Sequence, residues 1–194
     1  TSLQALQALR ARGVRVIVVD GGSRDETCAL AHTLADDVIT APRGRARQMN
    51  AGAAHVGGAA DVLLFLHADT RLPDEADHLI TAAVARGVRW GRFDVRISGR
   101  SPWLGVVGRL MNLRSQWSGI CTGDQAIFVE RVLFETLGGY GDLPLMEDID
   151  FSRRARRIAW PVALQPAAIT SGRRWEQRGV WRTILQMWSL RWRY

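Results

Sequence analysis

The chain has 194 residues, 47% of them hydrophobic and 23% charged, with a formal net charge of +7. That length favours one domain with a sizeable core, and the balance excludes a disordered or fibrous chain. All 26 basic residues are Arg, the net charge suits anionic partners such as phosphates, acidic lipid surfaces or nucleic acid, and no apolar run approaches the roughly 20 residues of a membrane span.

Residues 2–12 read as a helix with Leu3, Leu6 and Leu9 on one face, ended by Gly13. A nucleotide-binding α/β domain usually opens on a strand. Either this domain is unusual, or its first strand is missing ahead of Thr1. Strand 14–19 delivers Asp20 and then Asp25. Ser23 with Glu26 three residues on has the capping-box pattern, which sets a helix near 24–36 after Asp20-Gly21-Gly22. A short strand from Asp37 to Thr40 leads to a helix near 44–56. Strand 62–66 delivers His67 and Asp69 and leads to a helix near 74–86.

This alternation predicts an α/β fold with a doubly wound, mostly parallel sheet and helices on both faces. In such sheets ligands bind beyond the carboxyl ends of the strands. Two acidic tips there suit a nucleotide diphosphate with its divalent cation.

The second half is organised differently. Residues 90–98 alternate as a half-buried strand through Trp90, Phe93, Val95 and Ile97. Residues 101–118 read as a helix over the sheet. Residues 126–141 read as a strand running into a helix stopped by Gly138-Gly139. Residues 147–158 open with acids and close with Arg, the order a helix dipole favours. From Gly179 a basic helix carries Trp181, Leu185, Trp188 and Trp192 on one stripe. It suits a packed helix over core first and a membrane interface second. Cys28 and Cys121 give neither zinc spacing nor a disulfide framework, and Cys28 reads as a buried free thiol. With no signal-peptide pattern at the start, the cytoplasm is the compartment expected.

Several residues carry chemistry, each against a plainer alternative. Asp20 suits hydrogen bonds from a base or ribose, or else caps the Gly-Gly turn. His67 and Asp69, two apart on a strand end, point the same way and suit Mg²⁺ or Mn²⁺; otherwise they are a buried His and a turn Asp. Glu147 and Asp148 either complement a helix dipole or place a general base. Asp124 adds an acid before a strand. Arg173 and Arg174 present donors for a diphosphate, or form a solvated loop.

Taken in order, VIVVDGGSRDET, RQMNAGA at 47–53, LLFLHADT, CTGDQAIFV and LPLMEDIDFSRR resemble the family 2 glycosyltransferases of GT-A fold. The likeness is greatest to a bacterial subgroup carrying LHADT in place of the usual strand-end acid pair. The resemblance implies one domain over 1–194, with a nucleotide-sugar half at 1–89 and an acceptor and catalytic-base half at 90–194. It implies inverting transfer of a sugar from a nucleotide-diphosphate sugar to an acceptor hydroxyl by direct displacement. Asp148, with Glu147, would supply the base. Asp20, Gly21, Asn50, Gly52, Ala68, Arg173 and Arg174 would bind the donor. Asp124 and Gln125 would meet the acceptor.

Asp69 and His67 would hold a Mn²⁺ or Mg²⁺ cofactor, less anionic than in the family because His67 replaces an acid. The partners implied are a nucleotide-sugar donor, a hydroxyl acceptor with lipid-linked forms among the options, and no nucleic acid. The basic Trp-rich tail offers peripheral contact at the inner face of the membrane. The alternatives are a nucleotidyltransferase of similar fold and a nucleotide-sugar-binding protein without turnover.

Overall fold

The computed structural model describes residues 2–173 and Glu176; the tail stripe and Arg174 lie outside the described residues. In chain order the elements are α1 (Ser2–Ala5), α2 (Gln7–Ala11), β1 (Ile17–Asp20), α3 (Thr27–Leu34), β2 (Asp37–Thr40), α4 (Arg45–Val56), β3 (Val62–Phe65), β4 (Thr70–Arg71), α5 (Ala76–Ala85), β5 (Trp90–Ser98), α6 (Trp103–Ser118), β6 (Ile127–Glu130), α7 (Arg131–Thr136), α8 (Glu147–Ala155) and β7 (Val162–Ser171). The α/β class expected from alternation is the class found.

The sheet itself is mixed. β1 and β2 pair in parallel, with Asp20 opposite Thr40. A second sheet runs β3-β6-β5-β7-β4. Within it, among the described residues, only β5 and β7 are parallel neighbours; β3–β6, β5–β6 and β4–β7 are antiparallel. The doubly wound, mostly parallel expectation is corrected in that respect. β6 runs antiparallel to both β3 and β5, and it meets β5 only at Trp90 and Gly91. Among the described residues no ladder joins β1 to β3.

Two elements escaped the sequence. β4 is only two residues long. β7 contains Pro166, which removes a ladder donor and reads as a break. The structure accommodates it with a register shift: Phe93 pairs with Leu164 and Val95 with Ala168, so residues 165–167 bulge opposite Asp94. β7 also lies so close to β5 at one end that a Cβ on Gly91 would overlap the carbonyl of Val162.

Helix α3 starts later than the capping box predicts. The Ser23 hydroxyl donates to Asp20 at 2.5 Å instead of capping, and Glu26 takes the N-cap position with no side-chain bond. Cys28 is consequently only half-buried, a correction to the buried thiol expected.

The core has two main parts. One gathers Leu6 and Leu9 with Ile80, Phe93, Phe128 and Leu164. The other packs Trp90, Ile127, Val129, Leu133, Phe134, Tyr140 and Phe151. Each such side chain contributes about 1.5–3 kcal/mol by leaving water. Phe93, Val95 and Ile97 are buried, as their alternation predicts, and Trp90, out of phase with them, is buried in the second part of the core. Arg92 is buried too, bonded to α6. Its Nε donates to Ser115 Oγ at 2.7 Å and its Nη2 to the Asn112 carbonyl at 3.1 Å.

Candidate active site

Asp20 ends β1 with its carboxylate turned into the following loop. Oδ2 accepts the N–H groups of Gly22 (2.8 Å) and Ser23 (2.9 Å), and Oδ1 accepts the Ser23 hydroxyl. The Ser23 hydroxyl, then the two N–H groups, hold the carboxyl below the usual carboxylate range. A Cβ on Gly21 would lie 3.1 Å from the Gln48 amide, whose Nε2 donates to the Val19 carbonyl at 2.8 Å. Gly52 sits one turn on, where a Cβ would meet Val19 at 3.1 Å. Gly52 therefore serves the close approach of α4 to β1.

Helix α4 also reaches the loop that carries the paired acids. Asn50 spends both ends of its amide on Tyr140, donating to its carbonyl at 2.8 Å and accepting its N–H at 2.9 Å. Arg47 pairs with Asp142 through two bonds of 2.8 and 2.9 Å. Arg45 Nε lies 3.1 Å from Glu147 Oε1. Two arginines in the first turn run against the helix dipole. That mismatch is the sequence signal for residues held by something outside the helix, and it was missed for Arg45.

Glu147 is 2% exposed, at the start of α8. Burial pushes its carboxyl above the usual range, and the charge of Asp148 adds to this, while Arg45 and His67 oppose it. Asp148 is half-buried; one oxygen accepts the Gly123 N–H at 2.9 Å and the other its neighbour Ile149 N–H at 2.8 Å. Among the described residues only Ala126 (φ 49°) and Met146 (φ 68°) take a positive φ without being glycine. Both adjoin this group of acids, and such strain gathers where a site demands it.

His67 does not point alongside Asp69. The strand ends at Phe65, so two-residue alternation no longer applies, and residues 67–70 form a turn closed by Thr70 N–H on the His67 carbonyl at 3.0 Å. The His67 ring instead meets Asp124, Nδ1 to Oδ1 at 3.3 Å, and lies over Gly123, where a Cβ would overlap Nε2. Asp69 is exposed, and among the described residues its carboxylate has no side-chain partner. Its carbonyl accepts the Ser171 N–H at 3.1 Å, and the Ser171 hydroxyl accepts the Arg173 N–H at 3.3 Å. The end of β7 thus brings Arg173 near Asp69. Exposed Ala68 lies between, its carbonyl taking the Ser2 hydroxyl.

Contacts therefore run unbroken from Gly21 through Gln48 and Arg45 of α4 to Glu147, Asp148, Gly123, Asp124 and His67. Gln125 departs from its expected role. It is fully buried and spends its amide on Thr122 (3.1 Å) and Asn112 (3.4 Å), which caps the 3₁₀ turn Gly123–Gln125 instead of facing an acceptor.

Among the described residues no three His, Cys, Asp or Glu side chains gather to cage a metal. The exposed Asp69 carboxylate does suit a cation that draws its remaining ligands from a diphosphate and water, the habit of Mg²⁺ at phosphate sites. His67, turned to Asp124, does not share that role in this arrangement.

The chain resembles known proteins along most of its length. It is 25% identical to "Probable glycosyltransferase YdaM" of Bacillus subtilis (strain 168), an alignment covering 93% of this chain and 46% of that protein. Among solved structures, mannosyltransferase PcManGT from Pyrobaculum calidifontis, in complex with GDP-Man and Mn²⁺, is similar with a TM-score of 0.58 at 21% identity, over 88% of this chain and 52% of that one. S. aureus TarS is similar with a TM-score of 0.61 at 15% identity, over 88% of this chain and 34% of that one. The fold is the GT-A fold that the sequence resemblance named. The chain spans about half the length, or less, of these relatives. Residues 2–128 match the family described as Glycosyl transferase family 2, and the chain belongs to that family.

Proposed function

We propose that the chain transfers a sugar from a nucleotide-diphosphate sugar to an acceptor hydroxyl by direct displacement with inversion at the anomeric carbon. The observation that carries this reading is the acid pair at the start of α8, held by Arg45 and the Gly123 N–H beside Asp124 and His67. Asp148 takes the proton from the acceptor hydroxyl as it attacks. Glu147, buried against Arg45, fixes the start of α8 and so the aim of Asp148.

Asp20 and Gly21 address the nucleoside end of the donor, and Asp124 lies on the acceptor side. Residues 1–89 serve the donor and 90–194 the acceptor and base. Arg173 draws charge from the departing diphosphate. A Mg²⁺ or Mn²⁺ ion bound by Asp69 and the diphosphate would neutralise the charge that develops there. The PcManGT complex with GDP-Man and Mn²⁺ supports a donor and cation of this kind. The tail expected to touch a membrane lies outside the described residues.

Incubation with GDP- and UDP-sugars and a panel of hydroxyl acceptors tests this. Release of nucleoside diphosphate together with a glycosylated acceptor is expected. Pyrophosphate release would instead indicate nucleotidyl transfer, and donor binding without product would indicate a chain that does not turn over. Asp148→Asn is expected to lower kcat by about 10²–10⁴ with nucleotide binding retained. Transfer at the unaltered rate would remove Asp148 from the role of base.

A further inference from the structure

We propose that the outward face of α6, with the turn 156–160 beside it, is a docking surface for an anionic lipid bilayer. Helix α6 buries Leu104, Val107 and Met111 against β5, yet its opposite face is also apolar. Trp103, Val106, Leu110, Leu113 and Trp117 recur at alternating intervals of three and four residues, which places them on one stripe. Leu110 is 59% exposed and Trp117 is 79% exposed. The stripe continues off the helix end: a Cβ on Gly119 would touch the Trp160 ring at 3.1 Å, and both Trp160 and Ile158 are largely exposed. A continuous exposed apolar stripe rimmed by polar residues marks an interaction site.

Charge selects the partner. From Val95 to Gly123 the chain contains Arg96, Arg100, Arg109 and Arg114 and no Asp or Glu. Arg109 flanks the stripe, and Arg156 and Arg157 border its far end, with Arg156 donating to the Ser118 carbonyl. The three-four spacing also suits a second helix, as in a coiled coil. There, however, the exposed Arg109 would fall at a flanking position, and α6 carries no Asp or Glu to face it from a second copy. An anionic surface satisfies both the apolar stripe and the cations beside it. Trp103 and Trp117 stand at the two ends of the stripe, with rings that suit the boundary between lipid and water.

The test is flotation of the full chain with vesicles of phosphatidylcholine alone and of phosphatidylcholine with phosphatidylglycerol. Binding to the anionic vesicles is expected, with loss in high salt. Leu110→Glu with Leu113→Glu, both at exposed positions, should weaken it about tenfold or more while the melting temperature is kept. Should that pair disturb folding, Arg109→Gln with Arg157→Gln carries the same test, with about fivefold lost for each charge removed. The proposal is overturned by no binding of the unaltered chain, by equal binding of variants that keep their fold, or by a dimer that the Leu variants turn into monomer.

Discussion

Glu147 and Asp148 are adjacent acids with different surroundings. Glu147 is buried beside the second carboxylate and meets Arg45, while Asp148 is half-buried and meets backbone N–H groups. Because burial raises the Glu147 pKa, the folded state holds its proton more tightly than the unfolded chain. Its contribution to stability is therefore complete below the ordinary value of 4.5 and is lost as pH rises through the raised value. Glu147→Gln removes that loss. The variant should melt higher than the unaltered chain near neutral pH, and the two should converge below pH 4.5. Melting curves across that range check this; a constant difference would show that ionisation is not the cause. Asp69 makes the complementary case, an exposed acid whose carboxylate meets no side chain among the described residues. Asp69→Asn should leave the melting temperature of the free chain unchanged and abolish any part of donor binding that depends on Mn²⁺, as read by titration with and without chelator.

At the scale of elements, α4 and the loop before α8 form one unit. Asn50 and the Tyr140 backbone satisfy each other, so Asn50→Ala leaves an N–H and a carbonyl short of partners. The expected loss is about 1–3 kcal/mol. Arg47 and Asp142 are bidentate but exposed, so Arg47→Ala should cost about 0–1 kcal/mol. Denaturant unfolding of both variants checks the ordering. Gly91 sets a second limit. A Cβ there would overlap the Val162 carbonyl, backbone that cannot rotate away, so Gly91→Ala is expected to cost about 3 kcal/mol or part β5 from β7. The sequence places α4, α6 and β5 close to their observed bounds. It is silent on β7, where Pro166 interrupts the pattern and a bulge absorbs the interruption. Nor does it show that Asn50 meets Tyr140, since contacts across ninety residues leave no local trace.

Across the whole molecule, the same division governs the site. Asp20 and Asp69 are legible as acids at the ends of short apolar strands, and Glu147-Asp148 as acids opening a helix. What each side chain does is set by the turn it sits in. Asp20 folds back on Ser23, and His67 leaves its strand to meet Asp124. The two sheets have separate ladders among the described residues, one ending in Asp20 and the other containing the strand that leads to Asp69. A donor addressed by both acids would therefore bridge them and add a link that the free chain lacks. Mass action gives about 2.7 kcal/mol at a hundredfold excess over Kd. For a domain of this size that is a rise of about 5–10 °C in Tm. The preferred GDP- or UDP-sugar with Mn²⁺ should produce it, the bare sugar should not, and Asp69→Asn should remove the Mn²⁺-dependent part. A rise that is the same with and without the cation would detach Asp69 from the diphosphate and leave Arg173 to meet it.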